Sequence, residues 1–241
     1  DKTVTYFKRG SYIKANHITD VTSAEDENTA CEFMPFEGPD GSVITGLGTV
    51  DFNSLDWHER THCILRWKKN VEMSGLVFLN PSSWTLSTYG CEDCSISDIT
   101  VFGYRTNSDG IDICGCSNIT VSNSFCRNGD DCFSVKTTND VYPADNITFT
   151  NCIGWSNKAR CFGITGEVYR KISNIEFSDC AVIYRNATWN NDRVCCFADC
   201  VQSFFCLKHS GSFYLERIGN HCDNDCSVFF CNLGNDRSRS G

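Results

Sequence analysis

Hydrophobic and polar residues alternate along this chain in a phrase that keeps returning. The segments "NVEMSGLVF" from Asn70, "DCSISDITV" from Asp93, "SNITVSNSF" from Ser117, "DNITFTNCI" from Asp145 and "SNIEFSDCA" from Ser173 each open on polar residues and then alternate with period two. That period marks a half-buried β-strand, and helical periodicity is absent from the phrases. With Val71, Cys94, Ile119, Ile147 and Ile175 taken as equivalent, the intervals are 23, 25, 28 and 28 residues, the range of solenoid coils. "SVITGLGTV" from Ser42 reads as an earlier copy, and "TVTYFKRGSYI" near the start as an early coil with a turn at "KRG". Loops rather than helices separate the copies, so like strands are expected to stack in parallel, each coil burying its inner face against its neighbours. A β-sandwich also uses many short strands, but a fixed phrase recurring in register favours the solenoid. One β-helix domain over residues 1–241 is expected. The repeat is clear for about 40–185, and 196–241 forms closing coils or a cysteine-rich cap.

Composition narrows the setting. A hydrophobic content of 41% over 241 residues supports one large core. Four prolines and the lack of any apolar run approaching 18 residues argue against a Pro-rich linker or a membrane-spanning helix. A net charge of -9 and a pI near 5.0 disfavour nucleic acid as a partner. Eighteen cysteines, an even number, fit a secreted, disulfide-containing protein. The chain opens on Asp1 with no initiator Met and no signal peptide, as a processed chain does. Asn118, Asn146 and Asn186 lie in N-x-T sequons, although the two "NIT" phrases arise from strand composition alone. Cys152 and Cys180 hold the same place in successive phrases and are expected one above the other in an interior ladder without a disulfide. Cys91, Cys94, Cys114 and Cys116 make C-x2-C and C-x-C pairs. Zinc would suit thiolates, but the second pair has the wrong spacing for a zinc ribbon, and disulfides or core thiols are expected there.

The candidate chemistry sits in "RNGDDCFSVK", Arg127 to Lys136, where Asp130 and Asp131 are adjacent despite their mutual repulsion. Alone, the pair would be a polar turn. One coil earlier stands "TNSDGIDI", with Asp109 placed 21 residues ahead of Asp130. Residues about one period apart meet on one face of a solenoid, so three carboxylates converge. Such a group can divide acid and base roles in glycoside hydrolysis, one member protonated and another ionised.

With "NSDGIDI", "GDDC" and the preceding "PSSWTLSTYGCEDCSISDITV" from Pro81, the chain resembles glycoside hydrolase family 28, the polygalacturonases and their relatives, over roughly residues 40–185. The resemblance implies an all-β fold, the right-handed parallel β-helix of the pectin-lyase-like solenoids. It further implies an extracellular, pectin-degrading enzyme that inverts configuration, needs no cofactor and no metal, and works as a monomer on a polysaccharide. Asp130 would be the general acid, Asp109 and Asp131 would activate water, and Asn107 would help order them. Inversion calls for roughly 6.5–9.5 Å between acid and base carboxyls. Two departures bear on substrate. In "NKARCFGITGE", Arg160 stands where the family's G-H-G phrase has histidine, and in "DRVCC" Arg193 is kept while Cys195 replaces the lysine of R-I-K. Arg160 is a candidate bidentate clamp for a uronate carboxylate. Lys136 is a candidate for the same cleft, and Glu167 for sugar hydroxyls.

Other readings fit less well. His58, Glu59 and His62 in "WHERTH" spell the zinc-protease H-E-x-x-H, which requires a helix, whereas His62 leads into the alternating "CILRW". A non-catalytic carbohydrate-binding β-helix remains a rival because fold does not establish function, and dextran- or α-1,3-glucan-cleaving β-helices also use an aspartate trio. A calcium-dependent lyase is supported only by Arg160.

Overall fold

The computed structural model describes residues 3–14, 39–52, 63–137 and 142–186, and beyond them the backbone of four strands, Phe197–Asp199, Phe204–His209, Ser212–Arg217 and Phe229–Asn232. Each coil gives one strand to each of three sheets. Glu92–Ser97, Thr100–Phe102 and Ile111–Cys114 make one coil, and Ser117–Ser122, Phe125–Asn128 and Phe133–Thr137 the next. Among the described residues the sheets hold ten, seven and six strands, and the seven- and six-stranded sheets are parallel throughout. This is the parallel β-helix that the repeat implied.

The phrases stack in the register read from the sequence. Cys94, Ile119, Ile147 and Ile175 are direct neighbours on successive strands. The second inward row runs Ile44, Met73, Ile96, Val121, Phe149, Phe177, all buried. Phe149 stacks on Phe177 at 5.0 Å, and Phe133 on Phe162 at the same centroid distance, an arrangement that parallel register imposes when like residues recur. The asparagine or aspartate near the head of each phrase has a second use. Asp93, Asn118, Asn146 and Asn174 take φ of 56, 56, 54 and 53°, the left-handed region these side chains tolerate best after glycine.

Cys91, Cys94, Cys114, Cys116, Cys126, Cys132, Cys152, Cys161 and Cys180 are free and buried. Cys152 and Cys180 lie on adjacent coils, where the Ala181 amide donates to the Cys152 carbonyl, so the interior ladder is present. Cys91, Cys94 and Cys116 join the main core, whereas Cys114 packs with Tyr89 and Trp84 on the outer side of the six-stranded sheet. The four therefore cannot surround one zinc ion, and core thiols are what the fold holds there. The tail divides. Phe197–Asp199 continues the six-stranded sheet, while Phe229–Asn232 joins Ile172–Ser178 in parallel and is followed outward by two antiparallel strands. The "WHERTH" motif and Arg193 lie outside the described residues.

Candidate active site

The carboxylates come from the loops that lead into the six-stranded sheet. Coil-to-coil hydrogen bonding begins before the strands do, since Gly110 donates to the Asp131 carbonyl at 2.8 Å and Cys132 to the Arg160 carbonyl at 2.9 Å. This places Asp109, Asp131 and Arg160 in consecutive layers. Two glycines permit the approach, because a Cβ at Gly110 would strike the Cys132 carbonyl and one at Gly129 the Arg105 carbonyl. The loops are then stitched together. Asn128 Nδ2 donates to the Ser108 carbonyl at 2.6 Å, and the Ser108 hydroxyl accepts from the Gly129 amide at 3.0 Å while donating to the Arg105 carbonyl. Ser108 and Asn128 are fully buried, so the two aspartate loops form one rigid unit. Asn107, two residues before Asp109, is half-buried at the turn with φ 59°.

Asp109, Asp130 and Asp131 each offer an oxygen within 4.8 Å of the others, close enough to share one water or one cation. Oxygen to nearest oxygen, this is closer than the roughly 6.5–9.5 Å expected between the carboxyl groups of an inverting pair. The reason is geometric: two of the residues are adjacent and the third is one coil away, and neighbouring strands are only about 4.8 Å apart.

Each acid has a different environment. Asp130 is half-buried, and its Oδ1 accepts from the Asp131 amide at 3.0 Å. Burial, reinforced by the Asp131 charge, pushes its carboxyl up to about 6. Asp131 is buried against Arg160, whose backbone amide donates to Oδ1 at 3.1 Å and whose Nη1 lies 3.5 Å from both oxygens. Asp109 is 2% exposed. Burial pushes its pKa well up and Lys136 opposes that shift, with Nζ 2.8 Å from Asp109 Oδ2.

Lys136 and Glu167 reach the same cluster, 3.6 Å from each other. Lys136 is buried and its ammonium faces inward to the acids, while the Glu167 side chain is 40% exposed at the margin. Motif reading missed Asp112, a further carboxylate, fully buried on the outer row of the sheet. It accepts from the Ser134 hydroxyl, lies 3.4 Å from Lys136, and is pushed up to about 6 by burial. The signal was present in "IDIC", where an aspartate interrupts an apolar strand. Trp84, whose ring lies 3.6 Å from the Lys136 ammonium, carried no signal beyond its aromatic character.

Residues 3–193 match the family described as Glycosyl hydrolases family 28. The chain belongs to that family. Exopolygalacturonase from Zea mays is 30% identical over 150 residues, covering 56% of this chain and 35% of that protein. A probable exopolygalacturonase C from Aspergillus niger is 30% identical over 218 residues, covering 74% and 48%. The chain thus spans about a third to a half of the length of these curated family 28 relatives. Two solved structures share the fold: an exopolygalacturonase from Thermotoga maritima, with TM-score 0.57, 15% identity and 76% of this chain and 60% of that one covered, and a polygalacturonase from Erwinia carotovora, with 0.53, 16%, 75% and 58%.

Proposed function

We propose that this family 28 chain hydrolyses glycosidic bonds of a galacturonan by single displacement with inversion. The observation that carries the reading is the trio itself: three carboxylates within reach of one water, of which Asp109 and Asp131 are ion-paired with Lys136 and Arg160, while among the described residues Asp130 has no ion-pair partner and burial pushes its pKa up to about 6. Asp130 protonates the leaving glycosidic oxygen as its bond to the anomeric carbon breaks. A water held between Asp109 and Asp131 forms the new bond and gives its proton to that pair. Inversion is favoured despite the short separation because a carboxylate fixed by an ammonium or a guanidinium is a poor nucleophile but a well-oriented base. The three loops position the reacting groups, and the fold supplies the rigidity.

A uronate substrate fits the basic side chains beside the acids. Arg160, 16% exposed, would hold a sugar carboxylate in place of the missing histidine, with Lys158 nearby on the same loop. Glu167 and Asn107 are assigned to sugar hydroxyls. The names of the Zea mays and Aspergillus niger relatives favour attack at chain ends. A secreted monomer of one domain, without cofactor, completes the proposal. The test is reducing-sugar release from polygalacturonate, rhamnogalacturonan, dextran and α-1,3-glucan by wild type and Asp130→Asn. Hydrolysis of a uronate polymer, lost in the variant and yielding monomer from the earliest times, is the expected result. Equal rates for both proteins would remove Asp130 from the acid role, and activity confined to a neutral glucan would remove the uronate assignment.

A further inference from the structure

Lys136 occupies a position that neither substrate binding nor stability explains. Its side chain is 3% exposed, and the ammonium has three donors. Asp109 Oδ2 lies at 2.8 Å, Asp112 Oδ1 at 3.4 Å and Glu167 Oε2 at 3.6 Å. The Trp84 ring covers the group at 3.6 Å, a cation–π contact that also keeps water away. No direction is left for a sugar carboxylate. A buried ion cluster is no better for stability than apolar packing of the same volume, and the rest of the outer strand tolerates small neutral groups such as Ser87 and Ser134.

We propose that Lys136 is a positioning residue, anchored from behind by Asp112, that holds Asp109 as the ionised and oriented base and leaves the cluster's proton to Asp130. The inference rests on the assignment of the trio given above. The physical argument is a competition for one proton. Asp109 is the deepest of the three acids, and burial alone would protonate it first. Its direct ion pair with Lys136, at 2.8 Å, works against that protonation, and among the described residues no cation is ion-paired with Asp130. Asp112 acts in the opposite sense on Asp109, adding negative charge, but it fixes the ammonium so that the pair keeps one geometry. Burial works against the charge on Lys136 itself, yet Asp109, Asp112 and Glu167 together hold its pKa well above the ordinary lysine value. The other groups facing this centre are Tyr89 from the preceding coil, Cys114 from the strand of Asp112, and Asp131 with its Arg160 partner. Burial raises Tyr89 and Cys114, so both stay neutral and Lys136 supplies the positive charge at Asp109.

The experiment compares wild type, Lys136→Met and Asp112→Asn by the pH profile of kcat/KM and by a carbon-13 carboxylate NMR titration of Asp109. Loss of the cation should move the Asp109 midpoint, and the acidic limb of the rate profile, upward by about one pH unit or more. Loss of the Asp112 charge should move both downward. In Lys136→Met, kcat should fall at least about tenfold with little change in KM, since the side chain does not touch substrate. A midpoint unmoved in both variants, or moved the same way in both, overturns the proposal, as does a rise in KM at unchanged kcat. Should Lys136→Met fail to fold, the downward shift in Asp112→Asn decides alone. If wild type cleaves no galacturonan, the hydrolase reading fails while the NMR midpoints still judge the role of Lys136.

Discussion

The same coils present two outer faces, and they handle polar groups in opposite ways. On the repeat strands of the ten-stranded sheet most outward residues are exposed or half-exposed, and side-chain amides at the margins donate to an amide or carboxylate oxygen one coil away. Asn118 Nδ2 donates to Asp93 at 2.9 Å, Asn146 to Asn118 at 2.8 Å, and Asn174 to Asp145 at 2.8 Å. On the six-stranded sheet the outward rows Ser87, Asp112, Ser134 and Tyr89, Cys114, Lys136 are all buried. Here Asp109 Oδ1 and Asp112 Oδ2 are buried without a hydrogen-bond partner. A solenoid makes any recurring side chain into a row, and a row of like amides satisfies itself. Where residues stop recurring, unlike charges are forced together in a dry place, and partly satisfied buried groups are expensive. The costly face is the one that carries the acids.

The largest effect should come from breaking the costly face at its least constrained member. Asp130→Asn is expected to lower kcat by about a hundred- to ten-thousand-fold, the usual contribution of a general acid, measured as initial rate on polygalacturonate. The same change should make the protein more stable at pH 7. The carboxyl has a folded pKa of about 6 against an ordinary 3.8, so the protein binds this proton more tightly when folded. The stability it confers is complete below about pH 4 and is lost as pH rises through about 6, leaving the ionised group a net burden at neutrality. Asparagine removes that burden, worth about 1–2 kcal/mol after allowance for partial exposure. A thermal melt at pH 7 showing Asp130→Asn less stable than wild type would contradict this reading of the site.

The pH dependence of activity follows from the same group. Because the acid must be protonated, kcat/KM should decline as pH rises through about 6. A basic limb two units higher would assign the proton to another residue.

The interior shared by both faces should respond in stability and not in chemistry. Phe149 is fully buried, stacked on Phe177 and edge-on to Phe133 at 6.0 Å. Phe149→Ala should cost about 3–5 kcal/mol, read from denaturant unfolding, with kcat per folded molecule nearly unchanged. A matching loss of kcat would mean that the core and the acid loops are coupled.

How much of this was legible in the sequence follows the same division. The ten-stranded face was readable because each of its rows repeats, so that Cys94, Ile119, Ile147 and Ile175 declared their register and Cys152 with Cys180 declared an interior ladder. The trio was readable because its spacing equals one coil. The grouping of Lys136 with Asp112 and Trp84 was not, since it depends on which side chains lean across coils, and no repeat records that. Nor was the short separation of the acids readable, because the expected distance came from enzymes whose two carboxylates stand on opposite sides of a cleft. The tail lacked the phrase altogether, and two of its four described strands, Phe204–His209 and Ser212–Arg217, pair antiparallel, which a parallel repeat cannot announce.

The smallest expected effect tests whether the ten-stranded face is as self-contained as its hydrogen bonds imply. Asn146 donates to Asn118 and holds φ at 54°, so Asn146→Ala loses both a side-chain bond and a side chain suited to the left-handed region. The two contributions separate by using glycine, which adopts positive φ without strain. Alanine should cost about 1–2 kcal/mol, from strain and the lost bond together. Glycine should cost about half of that, its backbone freedom in the unfolded chain partly offsetting the relief of strain. Water replaces the lost amide partner because the residue is exposed, which keeps the hydrogen-bond share small. Neither variant should alter kcat/KM, since the ladder stands on a different sheet from the acids. If glycine proved as damaging as alanine, the ladder bond and not the backbone angle would be what the asparagine supplies, and the row would behave as a cooperative network like the one around Lys136.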